Sequence, residues 1–223
     1  MTSPRWAFLD ALPADLARQL ADSGRHRRYA RGDVLFLEGE PADSLHLIGR
    51  GHVSITVTTP QGEQAVLRIL GPGDHVGEMA VLSPGPRSAT VAALEPTETV
   101  EIGREQVDRI RAAHPHVDRA FLELAVAEVR RLSSAVLELT YVPVPQRVAR
   151  RLLELADSFP TLSNGSVVIP VTQDDLAGLC GTTRPTTNQL LRRLAEEGAV
   201  EVSRGRVVVV DRGPVERLGS DSG

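Results

Sequence analysis

A change of period at Gly103 limits the fold more than any other feature of the chain. Before it, short β-type runs at 26–30, 34–37, 44–48, 52–58, 63–69, 89–93 and 99–102 are separated by Gly and Pro. The breaks fall at Gly32, Gly39, Gly51, Gly62, Gly71-Pro72-Gly73 and Ser83-Pro84-Gly85-Pro86. Short strands spaced roughly 8–12 residues apart predict a sandwich or jelly-roll barrel, here a β-roll. Ahead of them, Leu9, Leu12, Leu16 and Leu20 stand near helical spacing and predict one helix over 9–21 packed on the roll.

After Gly103 the apolar spacing alternates between three and four. Leu122, Ala125, Val129, Leu132, Val136 and Leu139 then share one stripe of a long helix, as in a coiled-coil seam. Phe121, Leu124 and Val126 lie on another flank, so the helix is expected to face the roll on one side and a partner helix on the other. The alternative is a helix folded back onto its own domain. Val142-Pro143-Val144-Pro145 ends the helix, because each Pro lacks an N–H and turns the preceding residue away from helical angles. These four residues are the expected joint. Beyond them the sequence predicts a helix over 146–158, a strand over 167–171 and a helix opened by Thr172 with Asp175 three positions on, a capping-box pattern. A turn at Gly181, a helix from about Pro185 to Glu197 stopped by Gly198, and a hairpin of 200–203 and 206–210 around Arg204-Gly205 complete a winged helix-turn-helix. The predicted class is α+β: a β-roll over 1–115, a dimerisation helix over 116–142 and a winged helix-turn-helix over 143–223.

Composition narrows the chemistry. With 41% hydrophobic and 24% charged residues, the 223-residue chain has the mix of a globular protein with a sizeable core. No apolar run reaches the ~20 residues of a membrane span and the N-terminus has no signal-peptide stretch, so the expected location is the cytoplasm. One cysteine, Cys180, excludes a disulfide framework and an all-Cys cluster held by one chain; its expected role is that of a small buried hydrophobe. The net charge of −4 gives no global basic field, so any nucleic-acid contact must come from local arrangement. Seven aromatic residues are too few to make base stacking a leading idea.

The most informative stretch is Gly77-Glu78-Met79-Ala80, followed by a Pro/Gly loop and Arg87-Ser88. Inside a roll it can form a short helix, with Gly77 allowing close backbone approach. Arg87 offers a permanently charged fork to a phosphate, and Glu78 accepts from a sugar hydroxyl. Together they suit a compact ligand that is half ribose, half phosphate. In this stretch the sequence resembles the cyclic-nucleotide-binding domains, and with its C-terminal half it resembles the Crp/Fnr family of bacterial transcription regulators, over roughly residues 25–210. The resemblance implies that Gly77 and Glu78 hold the ribose 2′-OH and that Arg87 and Ser88 hold the cyclic phosphate, with cyclic AMP as the best-guess effector. Where a family prototype has a Thr-Ser pair that meets the adenine, this chain has Leu132 and Ser133, or Ala135 and Val136 in an alternative register. Leu132 offers the base no hydrogen bond. The opposing reading is that Glu78 and Arg87 pair across an empty pocket.

Thr182-Thr183-Arg184-Pro185-Thr186-Thr187-Asn188-Gln189 opens the expected recognition helix, whose first turns face base edges in the major groove. Arg184 matches a base- or phosphate-contacting Arg of the family and can be bidentate to guanine, while Gln189 and Asn188 suit adenine and Thr186 lies among them. Thr172, Gln173, Thr183, Arg204 and Arg206 are placed to hold phosphates. The segment from Pro143 onward has ten Arg and ten acids, so affinity rests on where those Arg lie. Contact with a protein instead of DNA is the bland alternative for a winged helix.

A roll is also the scaffold of cupin metal enzymes. His114-Pro115-His116 falls after the strands, at the expected start of the long helix, and no third His and Glu lie at workable spacing, so neither a metal site nor a catalytic constellation is expected. His75 stands beside the candidate pocket; His26, His46 and His52 read as satisfied surface or core residues. The resemblance implies a homodimer, double-stranded DNA with a palindromic site, a small-molecule effector and RNA polymerase as partners, and no cofactor beyond the effector. Two rivals stay open, a DNA-binding regulator with an empty or repurposed sensor and a cupin-like metal enzyme.

Overall fold

The computed structural model describes residues 6–10, 12–59, 62, 64–83, 85–115 and 117–220; the side chains of Ala7, Phe8, Ala80 and Leu82 lie outside that description. The chain forms two compact units, Met1–Arg131 and Leu132–Gly223.

In the first unit two four-stranded antiparallel sheets face each other. One has the order β1 (Arg25–Tyr29), β8 (Thr97–Gly103), β3 (Ser44–Arg50), β6 (His75–Val76). The other has the order β2 (Val34–Phe36), β7 (Thr90–Ala93), β4 (Val53–Thr58), β5 (Gln64–Leu70). Alternation sorts the side chains. Ile48 joins Phe36, Val53, Leu70, Val76 and Val91 in the roll interior, whereas Leu45 and Leu47 of the same strand join a cluster with helices. β3 is therefore buried on both faces and reads as an almost continuous apolar run.

The helical layer holds α1 (Ala7–Asp10), α2 (Ala14–Ser23), α4 (Arg104–Ala113) and the start of α5 (Val117–Tyr141); α3 (Glu78–Leu82) lies between β6 and β7. The single helix expected over 9–21 is two helices, since Pro13, without an N–H, stands at the N-cap of α2. Leu9, Leu12, Leu16 and Leu20 are nevertheless all buried in the cluster. α4 has no counterpart among the predicted elements, and His114 ends that helix instead of opening the long one; His116 lies outside the described residues. The long helix itself forms. Val117, Ala120, Phe121 and Leu124 follow the i, i+3, i+4, i+7 row into the cluster, while Val126 falls off that row and is 41% exposed, against the expectation that it flanks the roll.

The second unit carries the end of α5, then α6 (Val144–Ser158), β9 (Val167–Ile169), α7 (Gln173–Leu179), α8 (Arg184–Glu196), β10 (Val200–Ser203), β11 (Arg206–Val209) and α9 (Arg212–Ser220). The strands form one antiparallel sheet in the order β10-β11-β9. Thr172 caps α7 reciprocally: its Oγ1 accepts from the Asp175 amide at 3.0 Å, and the Asp175 carboxylate accepts from the Thr172 amide at 2.7 Å. Helix, turn, helix and wing hairpin follow in the expected order. α9, not foreseen, packs on α6 through buried Val215 and Leu218.

Candidate functional site

Between β6 and α3 the backbone turns at Gly77, which adopts φ +85° and stands at the N-cap of α3. Only glycine takes that angle without strain. It is also a close approach, since a Cβ there would lie 2.6 Å from Arg87 Nη1 and 3.0 Å from the Ser44 carbonyl oxygen. Arg87 is buried, 6% exposed. Its Nη1 donates to the Ser44 carbonyl at 2.6 Å and its Nη2 to Ser44 Oγ at 3.0 Å, with the guanidinium carbon 3.9 Å from the centre of the Phe36 ring. The nearest acid is Asp43, at 3.9 Å and itself well exposed. Burial lowers the Arg87 pKa from its ordinary value, with Asp43, Glu40 and Glu101 opposing. Among the described residues its Nε is buried without a partner. A desolvated cation with a spare donor and one distant counter-ion favours an anion.

Ser44, not Glu78, is therefore what holds Arg87, so the opposing reading of a Glu78–Arg87 pair is not the arrangement found. Glu78 is half-buried and close enough to His75 to favour its protonated form, although burial dominates and lowers the His75 pKa. Met79 is 59% exposed, and Ser88 Oγ, also exposed, donates to its Sδ at 3.7 Å. Ala80 lies in α3, its side chain outside the described residues. A charged cluster not foreseen from the sequence joins the roll to α5: Arg68 on β5 pairs with Glu128 at 3.5 Å, and Arg131 donates to Glu128 at 2.6 and 2.8 Å. The Arg131 hydrogen bonds hold Glu128 below the usual carboxylate range, and Arg68 and His75 add to that. Leu132, Ser133 and Val136 lie on exposed turns of α5 in the second unit, and Ala135 is half-buried there.

The six seam residues, Leu122, Ala125, Val129, Leu132, Val136 and Leu139, are all exposed within one chain. Five large apolar side chains at 49–64% exposure form a stripe open to solvent within one chain.

In the second unit, Thr187, Leu191 and Leu194 anchor α8, which turns Arg184, Pro185 and Gln189 outward and leaves Thr186 and Asn188 half-buried. Arg192, three positions beyond Gln189, is exposed on the same helix and was not singled out from the sequence. Arg184 Nη1 pairs with Asp174 at 3.1 Å, and both side chains are about three-fifths exposed. Such a pair is worth about 0–1 kcal/mol, so a competing phosphate or base edge can displace it. Thr183 stands at the N-cap position of α8, where its Oγ1 lies 3.0 Å from Thr186 Oγ1 and makes no hydrogen bond to a helix amide. Thr172 and half-buried Gln173 open α7. On the wing, Arg204 and Arg206 are exposed, Gly205 takes φ +73°, and Arg206 Nε donates to Ser203 Oγ at 2.8 Å. Cys180 is buried between α7 and α8, and burial pushes its thiol up to about 12.

Among the described residues no group of three or more His, Cys, Asp or Glu could hold a metal ion, and no helix is long and apolar enough to cross a membrane. His46 is enclosed in the roll with Nδ1 3.2 Å from Thr99 Oγ1, and His52 Nδ1 is 2.6 Å from Glu95.

Comparison with known proteins follows the two halves. The family model of the cyclic nucleotide-binding domain matches residues 26–114, and that of the Crp-like helix-turn-helix domain matches residues 146–218. The chain is 32% identical over 185 residues to a CRP-like cAMP-activated global transcriptional regulator of Mycobacterium tuberculosis, covering 82% of this chain and 83% of that one. It is 34% identical over 198 residues to the cyclic AMP receptor protein of Thermus thermophilus, covering 87% and 88%. A crystal structure of a CRP-family transcriptional regulator from Thermus thermophilus, 25% identical, matches with a TM-score of 0.71 over 88% of this chain and 97% of that one. With both domain types in order, and relatives above 30% identity across four-fifths of each chain, this protein belongs to the Crp/Fnr family of transcriptional regulators.

Proposed function

We propose that the protein is a homodimeric, DNA-binding regulator whose affinity for a palindromic site is set by an anionic effector bound in the roll, with cyclic AMP the first choice. The observation that carries the effector site is Arg87, buried behind Gly77, with an Nε that has no partner among the described residues and one exposed counter-ion, Asp43, at 3.9 Å. A cyclic phosphate there would supply the missing charge and acceptors. In this reading Gly77, Glu78, Met79 and Ala80 meet the ribose side, Arg87 and Ser88 the phosphate, and Ser133 the base. Two relatives named for cyclic AMP support that nucleotide.

The dimer would form along Leu122, Ala125, Val129, Leu132, Val136 and Leu139, whose exposure in one chain supports a second copy as cover. Effector binding then shifts the population toward an arrangement with the two α8 helices about 34 Å apart, one turn of DNA. Arg184, Thr186, Asn188 and Gln189 would face base edges, and Thr172, Gln173, Thr183, Arg204 and Arg206 would hold phosphates. The functional segments are a sensor over 1–115, a dimer helix over 116–142 and a DNA-binding domain over 143–223. The protein would act in the cytoplasm, without catalysis of its own, with RNA polymerase as a further partner.

A second reading, an effector other than cyclic AMP in the same pocket, is favoured by one residue: Leu132 has no group to bond an adenine edge. Calorimetric titration of cyclic AMP, with cyclic GMP for comparison, tests both. Submillimolar binding of one cyclic AMP per chain, lost in Arg87→Leu, is expected. Tighter cyclic GMP binding would favour the second reading, and no heat from either at several temperatures would refute a cyclic-nucleotide pocket.

A further inference from the structure

Arg147, on the first turn of α6, is 8% exposed, and its guanidinium donates only to backbone carbonyls among the described residues. Nη1 reaches the carbonyls of Leu139, at 3.1 Å, and Val142, at 2.7 Å, at the end of α5. Nε reaches that of Cys180 at 2.9 Å, and Nη2 that of Gly181 at 3.2 Å, in the turn between α7 and α8. The last carbonyls of a helix have no partner within it and carry the negative end of its dipole. One buried cation therefore caps α5 and fastens to that cap a turn 33 residues further along the chain.

Two other contacts tie the same parts. A methyl added at Gly181, where φ is +56°, would overlap the Leu139 side chain, so the bare glycine lets the end of α5 lie against the turn. Glu138 of α5 also pairs with Arg151 of α6 at 3.7 Å. The joint expected over residues 142–145 is thus pinned: the Val142 amide still donates to Glu138, and its carbonyl is bound by Arg147.

We propose that Arg147 is a positioning residue for DNA reading, which locks the turn before α8 to the last turn of α5 so that the two move as one body. The inference rests on the dimeric DNA-binding reading. Its consequence is that half-site spacing on DNA is fixed through Arg147, although Arg147 need not touch DNA. A neutral side chain of similar length would fill the space without holding both carbonyl pairs. A Lys head, with its donors at one point, cannot span both pairs either.

The test uses the full-length protein as wild type, Arg147→Met and Arg147→Lys, with a palindrome selected by the wild type from random duplexes, the same palindrome with the spacer changed by one base pair either way, and a single half-site. Fluorescence anisotropy gives each affinity. The wild type is expected to lose about tenfold or more on the altered spacers. Arg147→Met should keep its single half-site affinity while its spacer penalty falls to about threefold or less, and Arg147→Lys should fall between. A full spacer penalty in either variant overturns the proposal, and so does an equal loss on all duplexes, which marks a merely structural role. If Arg147→Met does not fold, Arg147→Lys alone decides. A wild type indifferent to spacing would refute the dimeric reading, a failure distinct from a variant that discriminates as well as a discriminating wild type.

Discussion

Gly77→Ala probes the effector site without replacing any charged residue. The added methyl would stand 2.6 Å from Arg87 Nη1 and 3.0 Å from the Ser44 carbonyl, at a residue with φ +85°. The Ser44 carbonyl belongs to a paired strand and cannot yield, so the flexible guanidinium must move. Two costs follow. An L-residue in the left-handed region costs about 1–2 kcal/mol, which lowers the melting temperature by several degrees in a domain of this size. A displaced guanidinium forfeits charge-assisted hydrogen bonds to the ligand, about 1.5–3 kcal/mol, or roughly ten- to a hundredfold in Kd. Differential scanning fluorimetry reads the first, and calorimetric titration with cyclic AMP, 10 °C below the variant's transition, reads the second. A destabilised variant with unchanged affinity would show that Arg87 does not hold the ligand from behind Gly77. Unchanged stability would refute the strained geometry itself.

Arg184→Ala should relax discrimination at one base pair of the selected operator by about 1–3 kcal/mol in competition binding; equal loss on every sequence would make Arg184 a phosphate contact. Val136→Glu, on an exposed turn, should leave the chain folded but shift sedimentation from dimer to monomer, and an unaltered dimer would exclude the seam. His46, with its pKa pushed down to about 4 by burial, is neutral in the folded roll. As pH falls from 6.5 toward 4 the unfolded chain takes up a proton that the folded chain refuses, so the contribution of neutral His46 is complete above 6.5 and lost through that window, about 3 kcal/mol in all. His46→Phe should flatten the acid side of the stability curve measured by urea unfolding, and an identical slope would count against the assignment.

Local chemistry made much of this architecture legible. Gly and Pro mark where strands must stop, so each of the seven strands predicted before Gly103 forms within a few residues of its expected place. The capping box at Thr172 and Asp175 and the hairpin at Arg204-Gly205 are contained in a few adjacent positions, and both form. Elements with weak local signals were not legible. β6 is two residues long and exists because His75 and Val76 pair with β3, about 30 positions earlier in the chain. α4 buries only Val107 and Ile110 among polar residues, too thin a stripe to be legible, and the leucine spacing over 9–21 runs unbroken across Pro13, which lacks an N–H and divides the helix in two.

The candidate sites divide along the same line. Gly77 and Arg87 are readable as a pair, but Ser44, which holds Arg87, is 43 positions away and carries no motif. Arg68, Glu128 and Arg131 meet only because β5 and α5 do. Arg147 likewise looks like any helix arginine until the chain returns at Cys180 to give it carbonyls to bind.

Effector occupancy at Arg87 is proposed to control DNA binding. The direct measurement is anisotropy of a fluorescent operator, selected by the protein from random duplexes in the presence of cyclic AMP, titrated with wild type and Arg87→Leu with and without cyclic AMP at fixed salt. The predicted result is an affinity raised by cyclic AMP about five- to 150-fold, the usual span of allosteric coupling, in the wild type and not in Arg87→Leu. Wild-type affinity that is the same with and without the nucleotide, or an equal response in Arg87→Leu, would contradict it.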